Sequence, residues 1–168
     1  MKKIILLLML ITPIFFSACE EAEELTGTME FTIGDKTYNF PVATFIKQDG
    51  KTIVTSTEVS NSATIVFAGI TPKTYPLGVG ANLEEALQNL LGLENPDNAF
   101  IYYPTGNADS AYISLYGTLQ VTEYTDSKVV GTFSGFGITK EVALGGVTDI
   151  ITSQKKAFSG TFTAKSIN

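Results

Sequence analysis

Apolar and polar residues alternate along most of the chain beyond its N-terminal segment. Alternation with a period of two, in runs rich in Thr, Val, Ile, Phe and Tyr, is typical of strands that bury one face. Turn-forming pairs such as Gly34-Asp35 and Asp49-Gly50 separate the runs and predict antiparallel hairpins. About ten strands are predicted, at residues 28–33, 36–40, 42–47, 52–57, 63–68, 99–103, 111–124, 129–138, 147–152 and 157–165.

Three features modify this pattern. Pro41 cannot donate a ladder hydrogen bond, so the run at 42–47 is predicted to be a bent continuation of the preceding strand or a new edge strand. The run at 63–68 is apolar enough to predict a strand buried on both faces. Gly117 predicts a bulge or bend within the long strand at 111–124.

The middle of the chain has a different pattern. Residues 69–80 are rich in proline and glycine and predict a connection. Asn82 as N-cap, Glu85 as the N3 carboxylate and Gly92 as the C-terminal stop then predict one short helix. Its apolar face consists of Leu83, Ala86, Leu87, Leu90 and Leu91. We expect this helix to cap an open end of the β structure, or alternatively to dock onto another protein.

The predicted fold class is therefore all-β. The strands are expected to form an antiparallel β-sandwich or a closed barrel of about ten strands, with one short capping helix. Residues 28–168 are long enough for a single domain with its own core.

The N-terminal segment is apolar without alternation. Lys2 and Lys3 precede an apolar run at 4–16, and the small pair Ser17-Ala18 follows it. This order predicts a secretory signal peptide over residues 1–18. The run is shorter than the roughly 20 apolar residues of a spanning helix.

The sequence Phe16-Ser17-Ala18-Cys19 resembles a bacterial lipobox. The resemblance implies that Cys19 is acylated, becomes the first residue after cleavage and holds the protein on a membrane. An ordinary secretory peptide that leaves a free cysteine is the alternative. Glutamates dominate residues 20–24, which predicts a solvated acidic tether over 19–27. This acidic run also resembles the export signal of outer-membrane lipoproteins in Bacteroidetes, which favours the cell-surface face over the periplasmic one.

Composition excludes several classes of function. The chain has 17 acidic residues against 11 lysines, no arginine and a formal net charge of −6, so nucleic acid is not an expected partner. It contains no histidine and one cysteine, which excludes Ser-His-Asp and Cys-His catalysis and zinc sites built from those residues. We expect no enzyme activity, no cofactor and no metal.

Several segments together resemble a family of small all-β Bacteroidetes lipoproteins of unknown function. They are Ile33–Tyr38, Lys73–Gly78, Tyr116–Thr122, Val130–Phe136 and Phe158–Phe162. Strands with a Gly-Thr pair before an aromatic or aliphatic residue recur among them. The resemblance implies an exported all-β domain and no particular activity.

The leading hypothesis is a non-catalytic, surface-tethered module that binds a protein, glycan or small molecule. Tyrosine, with a flat apolar body and a polar tip, suits such contacts, and core packing is the alternative explanation for each one. The candidate contact residues are Tyr102, Tyr103, Tyr112, Tyr116 and Tyr124.

Two further hypotheses remain open. A calycin-like carrier would hold a small apolar ligand inside a closed barrel, lined by Phe31, Phe40, Phe45, Phe67, Phe133 and Phe136. A glycosidase would use two carboxylates about 5 to 10 Å apart, drawn from Glu58, Glu123, Asp126, Glu141 and Asp149. Asp97, Asn98, Asn107 and Asp109 could offer oxygens to Ca²⁺, but their spacing matches no known calcium loop.

Overall fold

The computed structural model describes residues 26–59, 61–80, 98–103 and 111–167. These residues form nine strands and two short helices. The strands are β1 (Gly27–Ile33), β2 (Lys36–Gln48), β3 (Lys51–Glu58), β4 (Asn61–Ala68), β5 (Thr74–Gly78), β6 (Phe100–Tyr103), β7 (Tyr112–Tyr124), β8 (Lys128–Thr139) and β9 (Lys156–Ser166). The helices are α1 (Lys140–Gly145) and α2 (Val147–Thr152).

Some predictions concern other parts of the chain. The predicted signal peptide, Cys19, the acidic tether as far as residue 25, the helix at 83–91 and the loop at 104–109 lie outside the described residues. They remain predictions.

Eight strands close into an antiparallel barrel. Around the ring the order is β7-β6-β4-β3-β2-β1-β9-β8, and β8 pairs with β7 to complete it. The short strand β5 is outside this ring and pairs with β7 beside β6. The all-β prediction is confirmed, and the closed barrel is the correct alternative of the two architectures.

Local turn chemistry sets up the consecutive hairpins. Asp49 and Gly50, between β2 and β3, both have positive φ, 51° and 75°. Positive φ at both central residues is the signature of a type I′ turn, whose twist matches that of the two strands it joins. The predicted hairpins on either side of Gly34-Asp35 and Asp49-Gly50 are confirmed.

Pro41 lies within one continuous strand. β2 runs from Lys36 to Gln48, and its pairing with β1 shifts between Phe40 opposite Met29 and Ala43 opposite Gly27. β2 has one extra residue in this interval, which forms a bulge and removes the need for a ladder hydrogen bond from the proline. The bent continuation is therefore the correct alternative. In β7 the register shifts between Ser114 and Tyr116, next to the predicted bend at Gly117.

Two strand predictions are wrong. The stretch at 69–80, predicted as a connection, contains β5, whose Tyr75 and Leu77 are buried. The strand at 63–68, predicted to be buried on both faces, buries alternate residues instead. A barrel wall has one inner and one outer face, so a single face of each strand meets the core.

The predicted strand at 147–152 is also wrong, because these residues form α2. Ile150 and Ile151 follow Val147 by three and four residues, which is the spacing of one helix face. All three side chains are β-branched and favour strands, so the residue types alone predict a strand. Ile150 is buried on the outside of the barrel against Leu115 and Ile138. The helices α1 and α2 thus cover part of the outer wall.

Aromatic side chains dominate the barrel core. The ring of Phe31 lies 5.0 Å from that of Tyr103, 5.3 Å from Phe133 and 6.1 Å from Phe158. Phe67 and Tyr75 form a second contact at 5.0 Å. Each buried aromatic ring removes a large apolar area from water, so these clusters hold the opposing walls of the barrel together.

Strand register distinguishes the two ends of the barrel. The near end carries the beginning of β1 at Gly27, the Asp49-Gly50 turn and the turn between β7 and β8. The far end carries the Gly34-Asp35 turn and the helices α1 and α2. The chain therefore enters the barrel at the near end.

Candidate functional site

Buried aromatic and aliphatic side chains pack the core of the barrel in the part of the chain that the structure describes. The cavity beside Phe31, Ile101 and Tyr103 has a volume of about 10 Å³. That volume holds one water molecule at most.

An open groove of about 450 Å³ lies on the outer wall instead. It crosses four neighbouring strands, β1, β9, β8 and β7, in the half of the barrel towards the far end. It is lined by Thr32, Gly34, Tyr116, Gly117, Thr118, Ser134, Gly135, Phe136, Ala157, Phe158 and Ser159.

A row of hydroxyl groups crosses the groove. Thr32 of β1 is opposite Ser159 of β9, Ser159 is opposite Ser134 of β8, and Ser134 is opposite Thr118 of β7. Directly opposite residues in a sheet point to the same face, so these four side chains lie side by side on the outer wall. Ser134 and Ser159 are exposed. The row offers both donors and acceptors to a ligand.

An aromatic pair borders this row. Phe136 is directly opposite Tyr116, and their rings stack with centroids 5.1 Å apart and an interplanar angle of 30°. Phe136 is 38% exposed. Tyr116 packs on its other side against the cluster of Leu115, Ile138 and Ile150 beneath the helices, and burial raises the pKa of its hydroxyl. A partly buried tyrosine therefore supports the exposed ring of Phe136.

Two glycines form the floor of the groove where β7 and β8 approach closely. A Cβ atom added at Gly117 would lie 2.3 Å from the carbonyl oxygen of Ser134, and one at Gly135 would lie 2.2 Å from that of Tyr116. Gly117 also has a φ of 146°, which L side chains rarely adopt. Glycine at these positions lets β7 and β8 approach this closely.

The groove carries no formal charge on its described lining residues. Ionised side chains lie elsewhere on the barrel. Lys47 and Asp126 form an ion pair of 2.6 Å near the end where the chain enters, and Lys128 and Glu123 form another of 2.8 Å. A ligand in the groove would meet hydroxyls, backbone and aromatic rings.

The five tyrosines predicted as contact residues do not form one site. Tyr103 is 1% exposed, in the centre of the aromatic core, where burial and the neighbouring Tyr38 hydroxyl raise its pKa. Tyr112 is half-buried against the same core, and Lys156 Nζ lies 5.2 Å from its ring centroid. These two residues pack the barrel.

The remaining three tyrosines differ in position. The Tyr124 hydroxyl shares a hydrogen bond of 2.7 Å with Thr52 Oγ1, and its ring packs against Phe45 at the near end. Tyr102 is 40% exposed on the outer wall of β6, away from the groove lining. Of the five, Tyr116 is the one that lines the groove.

Five of the six phenylalanines proposed to line a carrier point into the core. The exception is Phe136, which faces outward beside Tyr116. Phe133 is buried and lies three positions before it in the same strand. Residues an odd number of positions apart face opposite sides of a strand, so this alternation is a signal by which Phe136 could have been found.

The acidic residues proposed for a glycosidase fall into two groups by their surroundings. Glu123 and Asp126 each pair with a lysine, while Glu58, Glu141 and Asp149 are exposed. Asn98 is buried and its Nδ2 donates to the Gly78 carbonyl at 2.9 Å, which is a structural bond. Asp97, Asn107 and Asp109 lie outside the described residues.

In the described part of the chain, no cluster of three or more Asp, Glu, Cys or His side chains is arranged to bind a metal ion. None of the helices in those same ranges has the length and apolar character needed to span a bilayer.

Comparison with known proteins gives no assignment: no protein-family model matches the chain, and no curated protein matches it.

Proposed function

We propose that this protein is an exported, lipid-anchored, non-catalytic binding module that takes its ligand in the groove on the outer wall of the barrel. The observation that carries the proposal is the difference in volume between the groove on the outer wall and the cavity inside the barrel. The cavity beside Phe31, Ile101 and Tyr103 has a volume of about 10 Å³, whereas the groove on the outer wall has about 450 Å³. Small-molecule sites in proteins have volumes of roughly 300–1,000 Å³.

The anchor in this proposal is acylated Cys19, on the outer membrane with the cell-surface face favoured. The chain enters the barrel at Gly27, and the groove extends to Gly34 at the other end of β1. A tether that holds the near end at the membrane would therefore present the groove towards the surroundings. Partners other than the membrane are a glycan, a protein or a small molecule, with nucleic acid excluded by the charge balance.

The lining residues support binding more than catalysis. They include no carboxylate, histidine, cysteine or lysine, which are the usual acids, bases and nucleophiles of enzymes. Their hydroxyls and rings can orient a ligand.

The first experiment tests the anchor. Cells that express the full chain are labelled with radioactive palmitate and fractionated. We expect label on the wild-type protein in the outer-membrane fraction and no label on Cys19→Ser. An unlabelled wild-type protein in the soluble fraction would contradict the anchoring part of the proposal.

The second experiment tests the groove. Full-length protein in detergent is screened against arrays of glycans and of peptides, and the ligands found are titrated against Phe136→Ala. We expect this variant to lose about tenfold or more in affinity, equivalent to about 1.4 kcal/mol. Phe100→Ala is the matched control, because Phe100 is 44% exposed on the outer wall and does not line the groove. Equal losses in both variants, or none in Phe136→Ala, would contradict the proposed site.

A further inference from the structure

The chemistry of the groove narrows the class of ligand. We infer that the groove binds a short neutral oligosaccharide, with one sugar ring stacked on Phe136 and further sugars along the hydroxyl row. This inference rests on the proposed function and specifies the ligand of that site.

The aromatic pair supplies the stacking surface. The C–H bonds on one face of a pyranose ring make that face apolar, and a flat aromatic ring matches it. Phe136 is exposed, and its stacking partner Tyr116 is fixed by the cluster beneath the helices. An exposed ring that is held in place loses little conformational freedom when a ligand binds.

The hydroxyl row supplies the polar contacts. Thr118, Ser134, Ser159 and Thr32 lie on four adjacent strands, and three inter-strand spacings give the row a length of roughly 14 Å. Each hydroxyl can both donate and accept, as the hydroxyls of a sugar also do. The length suits a chain of several sugars better than a single ring.

The charge of the groove selects against ionic ligands. No lysine, aspartate or glutamate is among the described lining residues. A sulfated or uronic sugar, a phosphate or a cationic ligand would lose water there without gaining an ion pair. The ligand is therefore expected to be uncharged.

Peptides are disfavoured by the closure of the barrel. Extended peptides commonly bind by adding a strand to an open sheet edge. In this barrel β1, β9, β8 and β7 each pair with a neighbour on both sides. The strands of the groove therefore present no open edge to which a peptide could add as a further strand.

The experiment is a calorimetric titration of the full-length protein with neutral gluco- and manno-oligosaccharides of increasing length. Hexuronic oligosaccharides of matched length and tyrosine-rich peptides are titrated in parallel. We expect affinity for one neutral series to rise with length and then level off. The acidic series and the peptides should bind at least about tenfold more weakly.

Two variants separate the contributions of ring and hydroxyls. Phe136→Ala should weaken binding of every length in the series. Ser134→Ala with Ser159→Ala should weaken binding of the longer members more than of the shortest, because those hydroxyls lie along the row. Phe100→Ala should bind as the wild type does.

The other outcomes separate this inference from the proposed function. A peptide or acidic sugar that binds best and is lost in Phe136→Ala would overturn the neutral-sugar inference and leave the groove as the binding site. A neutral sugar that binds equally well to Phe136→Ala would overturn both. Absence of binding by all neutral oligosaccharides would overturn the inference alone.

Discussion

The inside of the barrel and the groove on its outer wall use aromatic residues in opposite ways. Inside, the ring of Phe31 touches three other rings and is 1% exposed. In the groove, Phe136 has Tyr116 as its one ring partner among the described residues and keeps 38% of its surface exposed. The first ring stabilises the fold, and the second is available for a ligand. A barrel whose described core is packed with aromatic rings can therefore still offer an exposed ring on its outer wall.

The largest expected effect is a loss of stability when an aromatic ring is removed from the core of the barrel. Phe31→Ala should lower the free energy of unfolding by about 3–5 kcal/mol, because it removes the central ring and leaves a cavity among its neighbours. Phe136→Ala, the outer counterpart, should cost clearly less. Chemical denaturation of both variants measures the difference. Similar losses in the two would mean that Phe136 also serves mainly to stabilise the fold.

A smaller effect is expected at the floor of the groove. Gly117→Ala should destabilise the protein by about 1–3 kcal/mol through backbone strain, with an added cost from the collision with the Ser134 carbonyl. Gly50→Ala is the control, since Gly50 also has positive φ but has no atom within 4 Å of the added Cβ. The melting temperatures of the two variants are compared. Gly50→Ala shows the effect of backbone strain alone, and Gly117→Ala shows the effect of strain together with the collision. Equal melting temperatures would show that β7 and β8 do not need this close approach.

Alkaline pH should distinguish buried from accessible tyrosines. The pKa values of Tyr75, Tyr103 and Tyr116 are raised from the ordinary value of 10.0, in each case chiefly by burial. The folded state therefore keeps these protons to higher pH than the unfolded chain does. Their contribution to stability is complete below about pH 10 and is lost as the pH rises through the folded-state values.

The measurement is tyrosinate absorbance against pH, with stability followed on the same samples. We expect some of the seven tyrosines to ionise late in the native protein and all of them to ionise near pH 10 in denaturant. Tyr116→Phe should remove one late-ionising group. Uniform ionisation near pH 10 in a protein that is still folded would contradict the described burial.

The smallest effect is expected at the exposed ion pair at the near end. The hydrogen bond with Lys47 lowers the pKa of Asp126, and the same bond raises the pKa of Lys47. Asp126→Asn should therefore change the denaturation midpoint only slightly, and the difference should shrink further as the pH falls through the pKa of Asp126 or as salt is added. A large loss of stability at neutral pH would show that this pair has a structural role. Ligand binding in the groove should be unaffected.

Much of the barrel was predictable because it depends on neighbouring residues. Alternation and the turn pairs Gly34-Asp35 and Asp49-Gly50 specify the early hairpins from local chemistry alone. The segment at 147–152 was predicted incorrectly because β-branched residues favour strands, while its apolar spacing and the contact of Ile150 with the outer wall favour a helix. Short segments of this kind are decided by what they pack against.

The candidate site was predictable only in part. Tyr116 was among the candidate tyrosines, but Phe136 was assigned to the interior and the hydroxyl row was not recognised. Thr32 and Ser159 are far apart in the chain and become neighbours only when β1 pairs with β9. Bulges add to the difficulty, since one extra residue reverses which side chains face outward beyond it.

The sequence by itself therefore determined the all-β class, the hairpin turns and the absence of histidine and arginine, because each follows from composition or from residues adjacent in the chain. Only the tertiary structure decided that the sheet closes, which side chains share its described core, and that a supported aromatic ring lies beside a row of hydroxyls. These properties depend on pairing between distant strands and on how their side chains share a fixed volume, which no local pattern contains.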